Sequence, residues 1–166
     1  MDRSRVILVT GVAGFWGREV ARALVSQQVK WAESESPDGK SAETGSGGMH
    51  IIGVDNDPLT EQGAEAIEGL DFIQVDIQNP LFVELLKNEK VHTVCHLDFS
   101  HQYHRSEKAF VENVLGTMKL VGACAEAGVR KLVFKSSTMV YGATWSNPAF
   151  LTETHPIQGS KGYGYT

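Results

Sequence analysis

The 166-residue chain is 42% hydrophobic and 21% charged, ordinary usage for one compact domain, and a domain of that size buries about 70% of its unfolded surface. A formal net charge of −5 leaves no basic footprint for nucleic acid. No run approaches the roughly 20 apolar residues of a membrane helix, and Met1 to Arg5 lead into a strand-like run rather than a signal peptide, so a cytoplasmic location is expected.

Apolar runs alternate with helical patterns from the first residues onward, the signature of βαβ units and a mostly parallel sheet. Strands are expected at 6–9, 51–54, 72–75, 91–97 and 131–134, with helices at 15–28, 61–68, 80–88 and 103–127. The last helix is the clearest, because Phe110, Val111, Val114, Leu115, Met118, Val121 and Ala125 recur at steps of three and four, and Gly128 suits its C-cap. Residues 33–50 break the rhythm with Ser, Gly, Glu and Lys and almost no large apolar side chain, and they read as a flexible surface insertion.

The turn Thr10-Gly11-Val12-Ala13-Gly14-Phe15-Trp16-Gly17 joins the first strand to the first helix. In that setting backbone N–H groups and the positive end of a helix dipole face a bound anion, most often a pyrophosphate. Gly11 suits the tight turn, Gly14 leaves the backbone open to a diphosphate, and Gly17 lets the helix lie close to the sheet. The second strand ends at Asp55, where a dinucleotide fold places an acid to accept hydrogen bonds from the adenosine ribose. A 2′-phosphate would meet like charge there from Asp55 and Asp57, with no following Arg or Lys, so NAD is expected over NADP. The fold expected is a Rossmann-type doubly wound α/β sheet of about five strands in the order 3-2-1-4-5. A flavodoxin-like mononucleotide module fits the glycine spacing and Asp55 less well.

Cys95 and Cys124 have no metal-ligand spacing and read as two buried, reduced thiols. His101 and His104 could share a helix face, but no third ligand is evident, so no metal site is expected. His96 reads as a strand-end histidine with a backbone partner rather than a general base.

Taken together, these residues resemble the extended short-chain dehydrogenase/reductase family, which includes NAD-dependent nucleotide-sugar epimerases and dehydratases. The resemblance runs through nearly the whole chain. Gly11-x-x-Gly14-x-x-Gly17, with Phe15 and Trp16 inside it, is similar to the family's cofactor fingerprint. Asp76-Ile77 resembles the pair that meets the adenine, and His96-Leu97 stands where the fourth strand opens beside the cofactor. Asn113-Val114-Leu115-Gly116-Thr117 resembles a helix motif in which Asn113 organises the polar network beneath the site. Ser136-Ser137-Thr138-Met139-Val140-Tyr141-Gly142 is similar to a Ser-Ser-x-x-Val-Tyr-Gly stretch, and by it Ser137 would hydrogen-bond the substrate's reacting oxygen. Two departures stand out. Asp98 replaces a small residue and would weaken binding if it points inward, and Trp16 is bulkier than the aliphatic residue usual there.

Taking a hydride from a secondary alcohol needs a base beside the nicotinamide, and a tyrosine with a pKa near 10 serves only with help from a neighbouring cation. The family pairs them as Tyr-x-x-x-Lys. Here Tyr165 is the preferred candidate, with Tyr163 as the alternative, and the sequence ends at Thr166 before a lysine at that spacing. The resemblance therefore implies that residues 1–166 are the N-terminal portion of an NAD(P)-binding domain, truncated and without its substrate domain. It implies an epimerase/dehydratase-type oxidoreductase acting on a sugar-like secondary alcohol, with a nucleotide sugar as the expected substrate, and not a complete catalyst as given. Because the helix at 103–127 resembles one that pairs between subunits, a homodimer stays open for the complete protein. The alternative is a non-catalytic dinucleotide-binding or sensor module.

Overall fold

The computed structural model describes residues 5–34, 48–59, 67–99, 111–142 and 145–158. Five strands, β1 (Arg5–Thr10), β2 (Met49–Asp55), β3 (Asp71–Gln74), β4 (Val91–His96) and β5 (Lys131–Phe134), form one parallel sheet in the order β3-β2-β1-β4-β5. Helix α1 (Phe15–Ser34) follows β1, α2 (Phe82–Asn88) precedes β4, and α3 (Gly116–Ala127) precedes β5. The expected fold class and strand order are those observed.

The period-two alternation of β1 explains the two-sided burial. Val6 and Leu8 point to one face and join Ile52, Val54, Phe82, Leu86, Val94 and Leu120, where α2 and α3 pack. Val9 points to the other and joins Val12, Ala21, Val25 and Ile51 under α1. A central strand with apolar side chains on both faces is stable only between two helical layers. Chain order runs from β1 outward to β2 and β3, then crosses to β4 and β5. The C-terminal ends of β1 and β4 thus flank a topological switch point, where α/β sheets open a crevice.

Several boundaries differ from those expected. Helix α1 continues to Ser34, six residues past the expected stop at Gln28, because helix-compatible residues continue beyond it. Strand β2 begins at Met49, and His50 within it reaches Asp71 of β3 through a side-chain hydrogen bond, a polar pairing that an apolar-run criterion overlooks. The flexible segment expected at 33–50 therefore has helix at one margin and strand at the other, and residues 35–47 lie outside the described residues. The helix expected at 61–68 is not helical at Ile67 and Glu68, where the chain turns through Gly69 at φ +88° into β3; residues 60–66 are not among those described. Helix α2 starts at Phe82 rather than Pro80, because Asn79 Oδ1 accepts from the Leu81 N–H at 2.9 Å and forms a turn ahead of it.

Of the continuous helix expected at 103–127, residues 103–110 lie outside the described residues, Val111–Leu115 is a π-helical turn, and α3 runs from Gly116 to Ala127. A π turn leaves the three-and-four recurrence of apolar residues nearly intact, so periodicity alone does not reveal it. Gly128 ends α3 in the left-handed conformation at φ +73°, as expected. Both cysteines are free; Cys124 is buried, whereas Cys95 is half-buried against the α1 layer instead of fully enclosed.

Candidate dinucleotide cleft

The glycine turn is built by close backbone approach. The Gly11 N–H donates to the Val54 carbonyl at 3.0 Å, which ties the end of β1 to β2, and the Gly14 N–H donates to the Gly11 carbonyl at 3.1 Å. Gly11 sits at φ +75°, and a Cβ there would lie 2.8 Å from the backbone of Asp98, so conformation and space both demand glycine. At Gly17 the demand is steric: a Cβ would come within 2.0 Å of the Gly11 carbonyl oxygen. The first turn of α1 contains no acid, so its N–H groups and dipole face the cleft without a competing carboxylate of their own.

Asp55, buried at the end of β2, braces this turn. Its Oδ2 accepts from the Ala13 N–H at 2.9 Å and its Oδ1 from the Asp57 N–H at 3.0 Å. A carboxylate has about four acceptor positions, so two stay open for ribose hydroxyls.

Between the turn and the strand ends lies a cleft of about 380 Å³. Gly11, Gly14, Phe15, Trp16, Gly17, Asp55 and Leu97 line it, together with Asn56 and Asp57. Phe15 and Trp16 stand exposed at its rim, their rings edge to face with centroids 5.2 Å apart. Asp98, Phe99 and Lys135 form the remaining wall. Lys135 and Phe99 had no role in the sequence expectations; the signal was available only as a position one residue past β5, beside the Ser136-Ser137 pair. Asp98 does face the cleft. Water reaches it, yet the surrounding wall pushes its pKa up, helped by Asp55, Glu112 and Asp57 and opposed by Lys135.

His96 is elsewhere: its ring is buried, with Nδ1 2.8 Å from Thr10 Oγ1 and Nε2 3.2 Å from Thr117 Oγ1 of α3. Burial, reinforced by the Lys135 charge, lowers its pKa to about 4, so the imidazole is neutral at pH 7. Its partners are side chains rather than the backbone group expected. Asp76 and Ile77 lie beyond β3 and do not line the cleft. Asp76 Oδ1 accepts from the Gln78 N–H at 2.7 Å, and Ile77 packs against the α2 and α3 core layer. Asn113 lies in the π-helical turn, and Ser137 is exposed just after β5. Tyr163, Tyr165, His101 and His104 lie outside the described residues. No cluster of His, Cys, Asp and Glu suited to a metal ion occurs among the described residues, and none of the described helices is long and apolar enough to cross a membrane.

The glycine turn, the unopposed start of α1 and the part-satisfied Asp55 carboxylate together fit a dinucleotide: amides for its phosphates and an acceptor for its ribose. Comparison with known proteins agrees. An uncharacterized protein of Mycobacterium tuberculosis is 29% identical over 153 residues, covering 90% of this chain and 36% of its own length. The UDP-glucose 4-epimerase of Bacillus subtilis is 29% identical over 173 residues, covering 96% and 44%. A crystal structure of UDP-glucose-4-epimerase from Stenotrophomonas maltophila, with bound NAD and formylated UDP-arabinopyranose, superposes with a TM-score of 0.73 at 26% identity, covering 96% of this chain and 44% of that one. The chain spans less than half the length of these relatives. The model of the NAD dependent epimerase/dehydratase family matches residues 7–166, and the chain belongs to that family.

Proposed function

We propose that this chain is the NAD-binding portion of an epimerase/dehydratase-type oxidoreductase that acts on a sugar-like secondary alcohol, with a nucleotide sugar as its substrate class. The observation that carries the reading is the cleft at the switch point, where the glycine turn and Asp55 meet across β1 and β2. Amides of the turn and of the start of α1 bind the pyrophosphate, while Asp55 accepts from the adenosine ribose and disfavours a 2′-phosphate. Leu97 supports the cofactor at the crevice and His96 fixes the strand end beneath it, while the adenine role of Asp76 and Ile77, which stand outside the cleft, rests on the family resemblance alone.

Bound NAD would supply a hydride acceptor beside the substrate carbon. In this reading Ser137 donates to the reacting oxygen, Asn113 orders the polar network beneath it, and Tyr165 or Tyr163 takes the hydroxyl proton. The unit is the N-terminal portion of one dinucleotide-binding domain, and its two free thiols support a reducing compartment such as the cytoplasm. Titration with NADH followed by fluorescence is the direct test: saturable binding is expected, and no saturation at about millimolar cofactor overturns the reading, since a specific cofactor site holds well below that affinity.

A further inference from the structure

Three carboxylates, Asp55, Asp57 and Asp98, line the cleft that is to receive a ligand with two phosphate charges. Backbone amides and a helix end, equivalent to roughly half a positive charge, oppose them on the glycine-turn side. Among the described lining residues one side-chain cation is present, Lys135. Its backbone N–H donates to the His96 carbonyl at 3.1 Å, which pins the residue beside the end of β4. Its Nζ lies 5.8 Å from the centroid of the Phe99 ring, and it forms no ion pair with a described carboxylate. The ammonium is thus held over an aromatic face in the cleft wall with its donors available.

Strand order decides which part of a ligand it meets. Asp55 ends β2 on one side of β1, whereas Lys135 follows β5 on the other side, beyond β4. A dinucleotide with its adenosine ribose at Asp55 and its pyrophosphate on the glycine turn extends its second half toward β4 and β5. We propose that Lys135 is a cofactor-binding residue for the nicotinamide half of the dinucleotide, donating from Nζ to the phosphate and ribose of that half. The inference rests on the dinucleotide reading above and adds a contact from the far side of the switch point.

The test compares the wild-type chain with Lys135→Gln and Lys135→Arg, using NADH titration and displacement of NADH by ADP-ribose and by AMP. For Lys135→Gln, NADH and ADP-ribose should bind about tenfold more weakly, the equivalent of about 1.4 kcal/mol, and AMP should change by less than about twofold because it lacks the second half. Lys135→Arg, which keeps the charge, should restore ADP-ribose binding to within about threefold. An equal loss for AMP would mean that Lys135 acts only through diffuse charge and would overturn the assignment, as would unchanged NADH and ADP-ribose affinities. Absence of NADH binding by the wild type would instead overturn the dinucleotide reading itself. Thermal midpoints of the variants within about 2 °C of wild type, equivalent to less than about 1 kcal/mol, accompany the expected result; if Lys135→Gln falls further, the Lys135→Arg comparison decides.

Discussion

Replacing Gly17 with alanine adds one methyl group where, among the described glycines, a Cβ has the least room. The new Cβ would lie 2.0 Å from the Gly11 carbonyl oxygen, 2.4 Å from its carbon and 2.8 Å from the Val12 nitrogen, all backbone atoms that cannot rotate away. Restoring ordinary contact at 3.4 Å from 2.0 Å requires a relative movement of about 1.4 Å between helix and turn. That movement lifts α1 from Val9, Val12 and Ile51 and separates its leading amides from the anion site. Overpacking of this kind costs about 3 kcal/mol at the upper end of its usual range, and the helix propensity of alanine offsets about 1 kcal/mol, leaving about 2 kcal/mol of destabilisation. For a domain of this size the thermal midpoint should fall by about 4–8 °C, and NADH affinity should fall at least about tenfold as the amides leave their positions. The control is Gly122→Ala on the exposed side of α3, where a Cβ meets nothing within 4 Å. The same change there should stabilise by about 0.5–1 kcal/mol. Thermal unfolding and NADH titration of both variants read the contrast, and a Gly17→Ala protein with wild-type midpoint and affinity would refute the steric account of the turn.

Other outcomes follow from the ionisable groups. Asp98 is held above the usual carboxylate range by burial and then by Asp55, Glu112 and Asp57, against Lys135. Incoming phosphates raise it further, so protonation of Asp98 favours binding: NADH affinity should increase as pH falls, and Asp98→Asn should tighten binding at pH 7 and flatten the profile, as shown by titrations over a pH series. His96, depressed from 6.5 to about 4, contributes stability that is complete above pH 6.5 and lost as pH falls through 4, on the order of 3 kcal/mol. Urea unfolding at several pH values should show this loss, and His96→Gln should remove that part of the pH dependence; an unchanged profile would mean that His96 is not the group responsible. Asp55→Ala deletes the acceptor for both the Ala13 and Asp57 amides. It should weaken NADH binding more than about tenfold and narrow the preference over NADPH, measured by parallel titrations.

The sheet was legible because its apolar strands alternate with helices and each glycine of the turn answers a separate steric need. All five strands lie where the runs indicated, within two residues at each end. What escaped has physical causes. His50 is a strand residue satisfied by a polar cross-strand partner, so hydropathy could not mark it. The π turn at Val111–Leu115 preserves the spacing of apolar residues while altering the backbone. The cleft was half legible: Gly11, Gly14, Gly17 and Asp55 are consecutive features of one βαβ unit and Asp98 stood out as a departure after the fourth strand, whereas Phe99 and Lys135 are brought together from beyond β4 and β5, a proximity created only by the crossover. For His96, sequence position indicated a strand end, but the clamp between Thr10 and Thr117 depends on where α3 packs.

The double engagement of Asp55 limits how cofactor preference can be changed. The carboxylate that would reject a 2′-phosphate also splices Ala13 to Asp57, joining two loops that lie far apart in sequence. Converting the site toward NADP by a single exchange at this position would remove a strut as well as a charge. A workable exchange would need a second residue to cross-link the loops, so the route from one cofactor to the other passes through at least two coordinated substitutions.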